Sequence, residues 1–158
     1  MNALAKRLGQ RLKAADALLV TAESCTGGWV AQAVTSIAGS SAWFERGFVT
    51  YSNAAKHELL GVRKGTLKKH GAVSEESARE MARGALARSR GTLAVAVTGV
   101  AGPGGGSPGK PVGTVCFAWA HRRKVRSETR RFSGNRESVR RQSVVRALEG
   151  AVELLAGG

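Results

Sequence analysis

Ser24 sits in the stretch Thr21-Ala22-Glu23-Ser24-Cys25-Thr26-Gly27-Gly28, behind an apolar run from Ala17 to Val20 and ahead of a helical pattern. A strand that breaks into a helix through a small, glycine-rich turn exposes backbone N–H groups. A serine in such a turn can be a nucleophile with an oxyanion site beside it, or simply a helix cap. As a nucleophile it needs a base. No histidine falls near a strand end in this half of the chain, but Lys56 is available. A free lysine has a pKa of about 10.4, so roughly one in a thousand is neutral at pH 7. Burial and neighbouring cations lower it, and bringing it near neutrality costs about 4 kcal/mol. Tyr51 can pass a proton between Ser24 and Lys56 or orient them. Backbone N–H groups from Cys25 through Gly28 can hold a developing oxyanion, and Thr98 can donate to it or position a substrate. Taken singly, each residue also has a structural reading: Ser24 as a cap, Tyr51 as a strand residue with a satisfied hydroxyl, Lys56 as a solvated helix residue, Thr98 as a strand end.

The elements around these residues must bring them together. Leu4, Leu8 and Leu12, four apart, predict a helix over 2–15. A strand over 17–23 follows, then a helix over 26–38 with Val30, Ala33, Val34 and Ile37 on one face. A strand is expected over 47–52 and a short helix over 54–60, stopped by Gly61. Ser74 is an N-cap, with Glu75 and Glu76 in the first turn and Arg88 in the last, which predicts a helix over 75–89. The run Leu93-Ala94-Val95-Ala96-Val97 reads as a strand buried on both faces. A loop rich in Gly and Pro follows, from Ala101 to Gly113. Strands over 114–121 and 125–132 form a hairpin across Arg122-Arg123-Lys124, and a final helix over 136–155 buries Val145, Leu148, Val152 and Leu155. Strands and helices alternate until the hairpin breaks the pattern. The expected fold is therefore α/β, a three-layer α/β/α sandwich with a mixed, mostly parallel sheet of about five strands, and one domain over residues 1–158. Ligands bind beyond the C-terminal strand ends of such sheets. Ser24, the stretch Thr50 to Lys56, and Thr98 all fall there and, with the loop Gly102 to Gly106, are expected to converge on one crevice.

The chain has 158 residues, 42% of them apolar and 23% charged, which describes a soluble globular protein. Its net charge of +14 favours an anionic partner: nucleic acid, a membrane surface or a phosphorylated small molecule. Aromatic residues are only 5%, and no base-stacking module is visible, which disfavours nucleic acid. Cys25 and Cys116 are too few for a disulfide framework, so reduced thiols in the cytoplasm are expected. His57, His70 and His121 do not cluster, and no metal site is expected. The N-terminal apolar run is too short for a signal peptide or a membrane span. There is no G-x-x-x-x-G-K-[ST] loop and no G-x-S-x-G elbow, and Tyr51 and Lys56 are five apart where a dehydrogenase pair needs four. The segment Arg122 to Arg146 holds ten basic residues and two acids and reads as a solvated face. Apolar helix faces point to a homodimer.

Four ordered signatures give a family resemblance. They are Thr21 to Gly28; Gly39-Ser40-Ser41 through Phe44, Gly47 and Val49-Thr50-Tyr51-Ser52-Asn53 to Lys56; His70-Gly71-Ala72-Val73-Ser74-Glu75; and Thr98 to Gly106 followed by Lys110-Pro111-Val112-Gly113-Thr114-Val115. They span almost the whole chain, which resembles the CinA C-terminal domain family. The resemblance implies a three-layer fold and nicotinamide mononucleotide amidohydrolase activity, giving nicotinate mononucleotide and ammonia without a cofactor. It also implies a Ser/Lys scheme in which Ser24 is the nucleophile, Lys56 the general base, Tyr51 the proton relay or orienter and Thr98 a site threonine. Many members carry a further N-terminal domain, so this chain is expected to be the stand-alone form. The substrate-binding residues expected on this reading are Thr26, Gly27, Gly28, Phe44, Gly99, Gly102, Gly104, Gly105 and Lys110. Helix N-termini, the Gly-rich loop and Lys110 suit a phosphate. Tyr51 or Phe44 suits a cationic pyridinium, whose charge would help drive the proton from Lys56. Two other readings stand beside it: a binding or regulatory module that keeps the pocket without turnover, and a competence-associated nucleic-acid-binding protein.

Overall fold

The structure, a computed structural model, describes residues 1–157. Its elements are α1 (Asn2–Ala14), β1 (Leu19–Glu23), α2 (Trp29–Thr35), a 3-10 turn (Ser40–Ala42), β2 (Phe44–Val49), α3 (Asn53–Leu60), α4 (Lys64–His70), α5 (Glu75–Ala87), β3 (Leu93–Gly99), β4 (Thr114–His121), β5 (Lys124–Arg131) and α6 (Arg136–Leu155). The five strands form one sheet in the order β2-β1-β3-β4-β5. The β2–β1 and β1–β3 ladders are parallel; β3–β4 and β4–β5 are antiparallel. Four strands therefore point one way and only β4 opposes them. The expected predominance of parallel strands holds for direction, while the ladders divide evenly because β4 lies inside the sheet.

Side-chain alternation assigns the two faces. Leu93, Val95 and Val97 of β3 and Val115, Phe117 and Trp119 of β4 face α1, α2 and α6. Ala94, Ala96, Ala118 and Ala120 face the other way, against Ala78, Met81, Ala82 and Ala85 of α5. Large residues on one face and alanines on the other let α5 lie close to the sheet while α6 stands off over stacked rings. Phe117 and Trp119 stack with centroids 5.6 Å apart, and the Trp119 indole donates to the Ala147 carbonyl of α6 at 2.9 Å. Gly150 permits this approach, since a Cβ there would lie 2.1 Å from the indole.

Local chemistry explains most boundaries. Ser74 caps α5 by accepting from the Ser77 N–H, and Ser52 caps α3 through Ala55. Gly61 ends α3 in the left-handed region. Four expectations need correction. The helix expected over 26–38 shrinks to Trp29–Thr35, because Gly27 and Gly28 both take positive φ before it. The second strand begins at Phe44, paired with Leu19, and ends at Val49, so Thr50 to Ser52 form a linker instead. Helix α4, not anticipated, is tied to α5 by Thr66 donating to Glu80 at 2.6 Å. In α6, Val144 and Leu154 are buried in place of Val145 and Leu155, which are half-buried; Leu148 and Val152 are buried as expected.

Candidate active site

Three strand ends converge. The Ser24 N–H extends the β1–β3 ladder by donating to the Val97 carbonyl (2.9 Å), and the Thr50 N–H extends β1–β2 by donating to Glu23 (2.8 Å). Beyond Ser24 the chain turns sharply: the Gly27 N–H closes on the Ser24 carbonyl (2.9 Å), and Gly27 and Gly28 have φ of 59° and 103°. Such values suit glycine. The turn is anchored from below by Glu23. Its carboxylate is 1% exposed and accepts from the Thr26 hydroxyl (2.6 Å) and from the Val30 and Ala31 N–H groups (2.8 and 3.0 Å). A buried carboxylate thus caps α2, whose own N-cap, Gly28, has no side chain to do so.

Lys56 lies one turn into α3, where a side chain tilts back toward the helix N-terminus. That direction carries its amine over the sheet edge. Lys56 Nζ is 2.9 Å from Ser24 Oγ and 2.9 Å from the Thr50 carbonyl oxygen. Lys56 is 1% exposed and Ser24 8%. None of the ion pairs among the described residues involves Lys56. Burial therefore pushes the Lys56 ammonium below its ordinary pKa. A Cys25 thiolate would pull it back up, but burial holds that thiol up at about 12, so Cys25 is neutral at pH 7 and exerts no such pull.

The pocket in front of this pair measures about 320 Å³, at the small end of the range for ligand sites. Its lining includes Cys25, Tyr51, Asn53, Ala72 and Thr98, together with Gly99, Gly102, Gly104 and Gly105 of the Gly-rich segment. Tyr51 is 62% exposed at the rim. Its hydroxyl accepts from Arg136 Nη2 at 3.0 Å and is bonded to neither Ser24 nor Lys56. Lys56 reaches Ser24 directly, with the Tyr51 hydroxyl not between them. Thr98 lines the pocket, yet its hydroxyl donates to the Ala72 carbonyl at 3.0 Å. Its proton is committed to the wall rather than to an oxyanion.

Other expected binding residues lie elsewhere. Phe44 opens β2, at the opposite end of the strand from the site, and packs into the core. Thr26 is fully buried on Glu23, and Gly27 and Gly28 shape the turn without lining the pocket. Lys110 lines a neighbouring cleft, its ammonium bonded to the His70 carbonyl. The N–H groups of Cys25 and Thr26 make no intramolecular hydrogen bond among the described residues, whereas Gly27, Val30 and Ala31 are engaged.

Two cations missed by the sequence reading stand at the site. Arg136 donates to the Gly102 carbonyl (2.8 Å) as well as to Tyr51. Arg140 donates to the Cys25 and Thr26 carbonyls, both at 3.1 Å, and lies over the Trp29 ring. Both come from the first turns of α6, within the segment expected to be a solvated face. A signal was present: arginines at a helix N-terminus oppose its dipole, so something else must hold them. Glu23 had a signal too, as the sole acid in an apolar strand.

A sequence model described as the CinA C-terminal domain matches residues 1–155. A nicotinamide-nucleotide amidohydrolase PncC of Pseudomonas putida is 55% identical, over 98% of this chain and 96% of its own. One of the same name from Escherichia coli K12 is 60% identical, over 92% and 89%. Among solved structures, a competence/damage-inducible protein, CihA, from Agrobacterium tumefaciens superposes with a TM-score of 0.95 at 49% identity, covering 97% of this chain and 94% of that one. The fold, the order of its signatures and these matches along nearly the full length agree: the chain belongs to the CinA C-terminal domain family.

Proposed function

We propose that this protein hydrolyses the carboxamide of nicotinamide mononucleotide, releasing ammonia and nicotinate mononucleotide, with Ser24 as nucleophile and Lys56 as base. The observation that carries this reading is the 2.9 Å contact between the Lys56 amine and Ser24 Oγ, buried and without a carboxylate partner. Relatives at 55% and 60% identity bear the name of that activity. The neutral amine keeps one N–H on the Thr50 carbonyl and turns its lone pair to the Ser24 hydroxyl. Ser24 Oγ attacks the amide carbon while Lys56 takes the hydroxyl proton. The unengaged Cys25 N–H receives the oxyanion. Collapse breaks the C–N bond, and Lys56 gives its proton to the departing nitrogen, which leaves as ammonia. Water, deprotonated by Lys56, then cleaves the acyl ester and restores Ser24.

Arg136, at the rim and paired with carbonyl and hydroxyl oxygens only, is the natural partner for the 5′-phosphate, which outcompetes those neutral acceptors. Tyr51 offers its exposed face to the pyridinium. We read residues 1–158 as one domain. No helix among the described residues is long and apolar enough to cross a membrane. The two free cysteines, both buried, support a cytoplasmic location. Exposed Val49, at the end of the edge strand β2, and Leu59 of α3 support a homodimer, which sedimentation would test. The function is tested by ammonia release from nicotinamide mononucleotide by wild type, Ser24→Ala and Lys56→Met. Turnover by the wild type alone, with substrate still binding to Ser24→Ala, supports it. Binding without turnover by the wild type would instead identify a regulatory module.

A further inference from the structure

A second cleft, about 680 Å³ against about 320 Å³ for the one that holds Ser24, lies beside it. It lies on the far side of the segment His70 to Val73, and Val73 lines both cavities. That segment is a thin partition, so whatever fastens it shapes the Ser24 pocket. Its carbonyls are held by three sets of donors. Thr98 takes Ala72, the Ser74 and Ser77 hydroxyls share Gly71, and the Lys110 ammonium takes His70. The first two sets belong to the sheet and to the start of α5. Lys110 alone comes from the Gly-rich loop. Ser107 and Lys110 exchange both backbone hydrogen bonds, at 3.0 and 3.1 Å, which makes a tight turn that presents the lysine. The base of the loop is closed by Val100 on Thr114 and Gly113 on Val100, both 2.8 Å. Between base and tip lie Gly102, Gly104 and Gly105, which line the Ser24 pocket. Among the described residues, Lys110 to His70 is the one side-chain hydrogen bond joining this loop to the partition.

We propose that Lys110 is a positioning residue: a latch that fastens the Gly-rich loop to the partition and so sets the width of the pocket for a phosphate-bearing pyridine nucleotide. The inference rests on the amidohydrolase reading for its substrate, but the latch itself does not. An ammonium donating to a carbonyl makes a strong hydrogen bond. A glycine-rich loop with little core of its own opens when such a bond is lost. Lys110 touches no reacting atom, so its loss should fall on substrate binding more than on chemistry.

The test compares wild type, Lys110→Met and Lys110→Arg by amide hydrogen exchange without ligand, and by steady-state ammonia release from nicotinamide mononucleotide. In Lys110→Met, exchange should accelerate in residues 70–73 and 101–110 and nowhere in β1 or β3. KM should rise about tenfold, with kcat falling less than about threefold. Lys110→Arg should restore most of both. Unchanged exchange in Lys110→Met overturns the latch whatever the kinetics, and faster exchange with an unaltered KM overturns the positioning role. If the wild type releases no ammonia, it is the amidohydrolase reading that fails, and the exchange data still decide the latch.

Discussion

Two buried cations of this molecule, on α3 and α6, are treated in opposite ways. Arg146, in the middle of α6, is 8% exposed and donates to Glu128 at 2.7 and 2.9 Å and to Glu153 at 3.0 and 3.1 Å. It also lies over the Trp119 ring. Its hydrogen bonds to Glu128, opposed by burial and aided by those to Glu153, raise its pKa, so the charge is permanent. Lys56 is buried more deeply and meets only neutral oxygens. Its charge is uncompensated and its pKa falls. A guanidinium in a double carboxylate fork binds the β4–β5 hairpin to α6; an ammonium without a counter-charge is a base held ready. Burial alone does not separate structure from chemistry; the partner does.

The sharpest way to break this contrast is to remove both cations. Lys56→Met should lower kcat/KM by about 10³-fold or more, measured as ammonia release. It should leave the melting temperature unchanged or higher, because a buried, unpaired charge is replaced by an isosteric apolar chain. Arg146→Met should do the reverse. It strands Glu128, partly buried, and should cost about 3 kcal/mol in denaturant unfolding while sparing kcat at a temperature where the variant is folded. Glu23→Ala tests a buried charge of the opposite sign that serves both purposes. Three donors lose their acceptor, so a loss of about 2 kcal/mol and a lower kcat are expected together.

The smaller effects are pH effects. Ser24 attack needs neutral Lys56, so kcat/KM should climb with pH toward the lowered Lys56 pKa and then level off. Between that pKa and the unfolded value the unfolded chain binds the extra proton, so stability rises with pH across the window. The rise should vanish in Lys56→Met. At the acid end, burial raises the Glu128 pKa but Arg146 and Arg130 lower it further, and Arg146 lowers Glu153. The stability they contribute is complete above the unfolded carboxylate range, near pH 4.3. It is lost as pH falls through the depressed values. Arg146→Met should flatten this acid limb, which thermal melts between about pH 2 and 5 would reveal.

Elements with strong local chemistry were legible from the chain. The apolar run of β3, the Ser74 cap of α5 and the long α6 are each determined by neighbours in sequence. The turn that carries Ser24 was legible as well, since a strand running into Gly27-Gly28 must break there, although a cap and a nucleophile look alike in sequence. Phe44 was misread because a three-residue shift in the start of β2 moves a side chain from the site to the opposite strand end. Tyr51 was legible as a pocket residue, but nothing local says that its hydroxyl meets Arg136, 85 residues away, rather than Ser24 or Lys56. Lys110 was assigned to a phosphate by its charge, when a carbonyl 40 residues earlier had already claimed it.

The sequence by itself determined most of the elements and the glycine turn, and offered Lys56 as the available base for Ser24. Tertiary structure decided which groups lose water and which charges meet. Lys56 and Arg146 are both cations on helices, and no local rule tells them apart. Desolvation and Coulomb energy depend on atoms brought from distant parts of the chain, and only the folded sheet supplies Thr50 and Ser24 to one and Glu128 to the other.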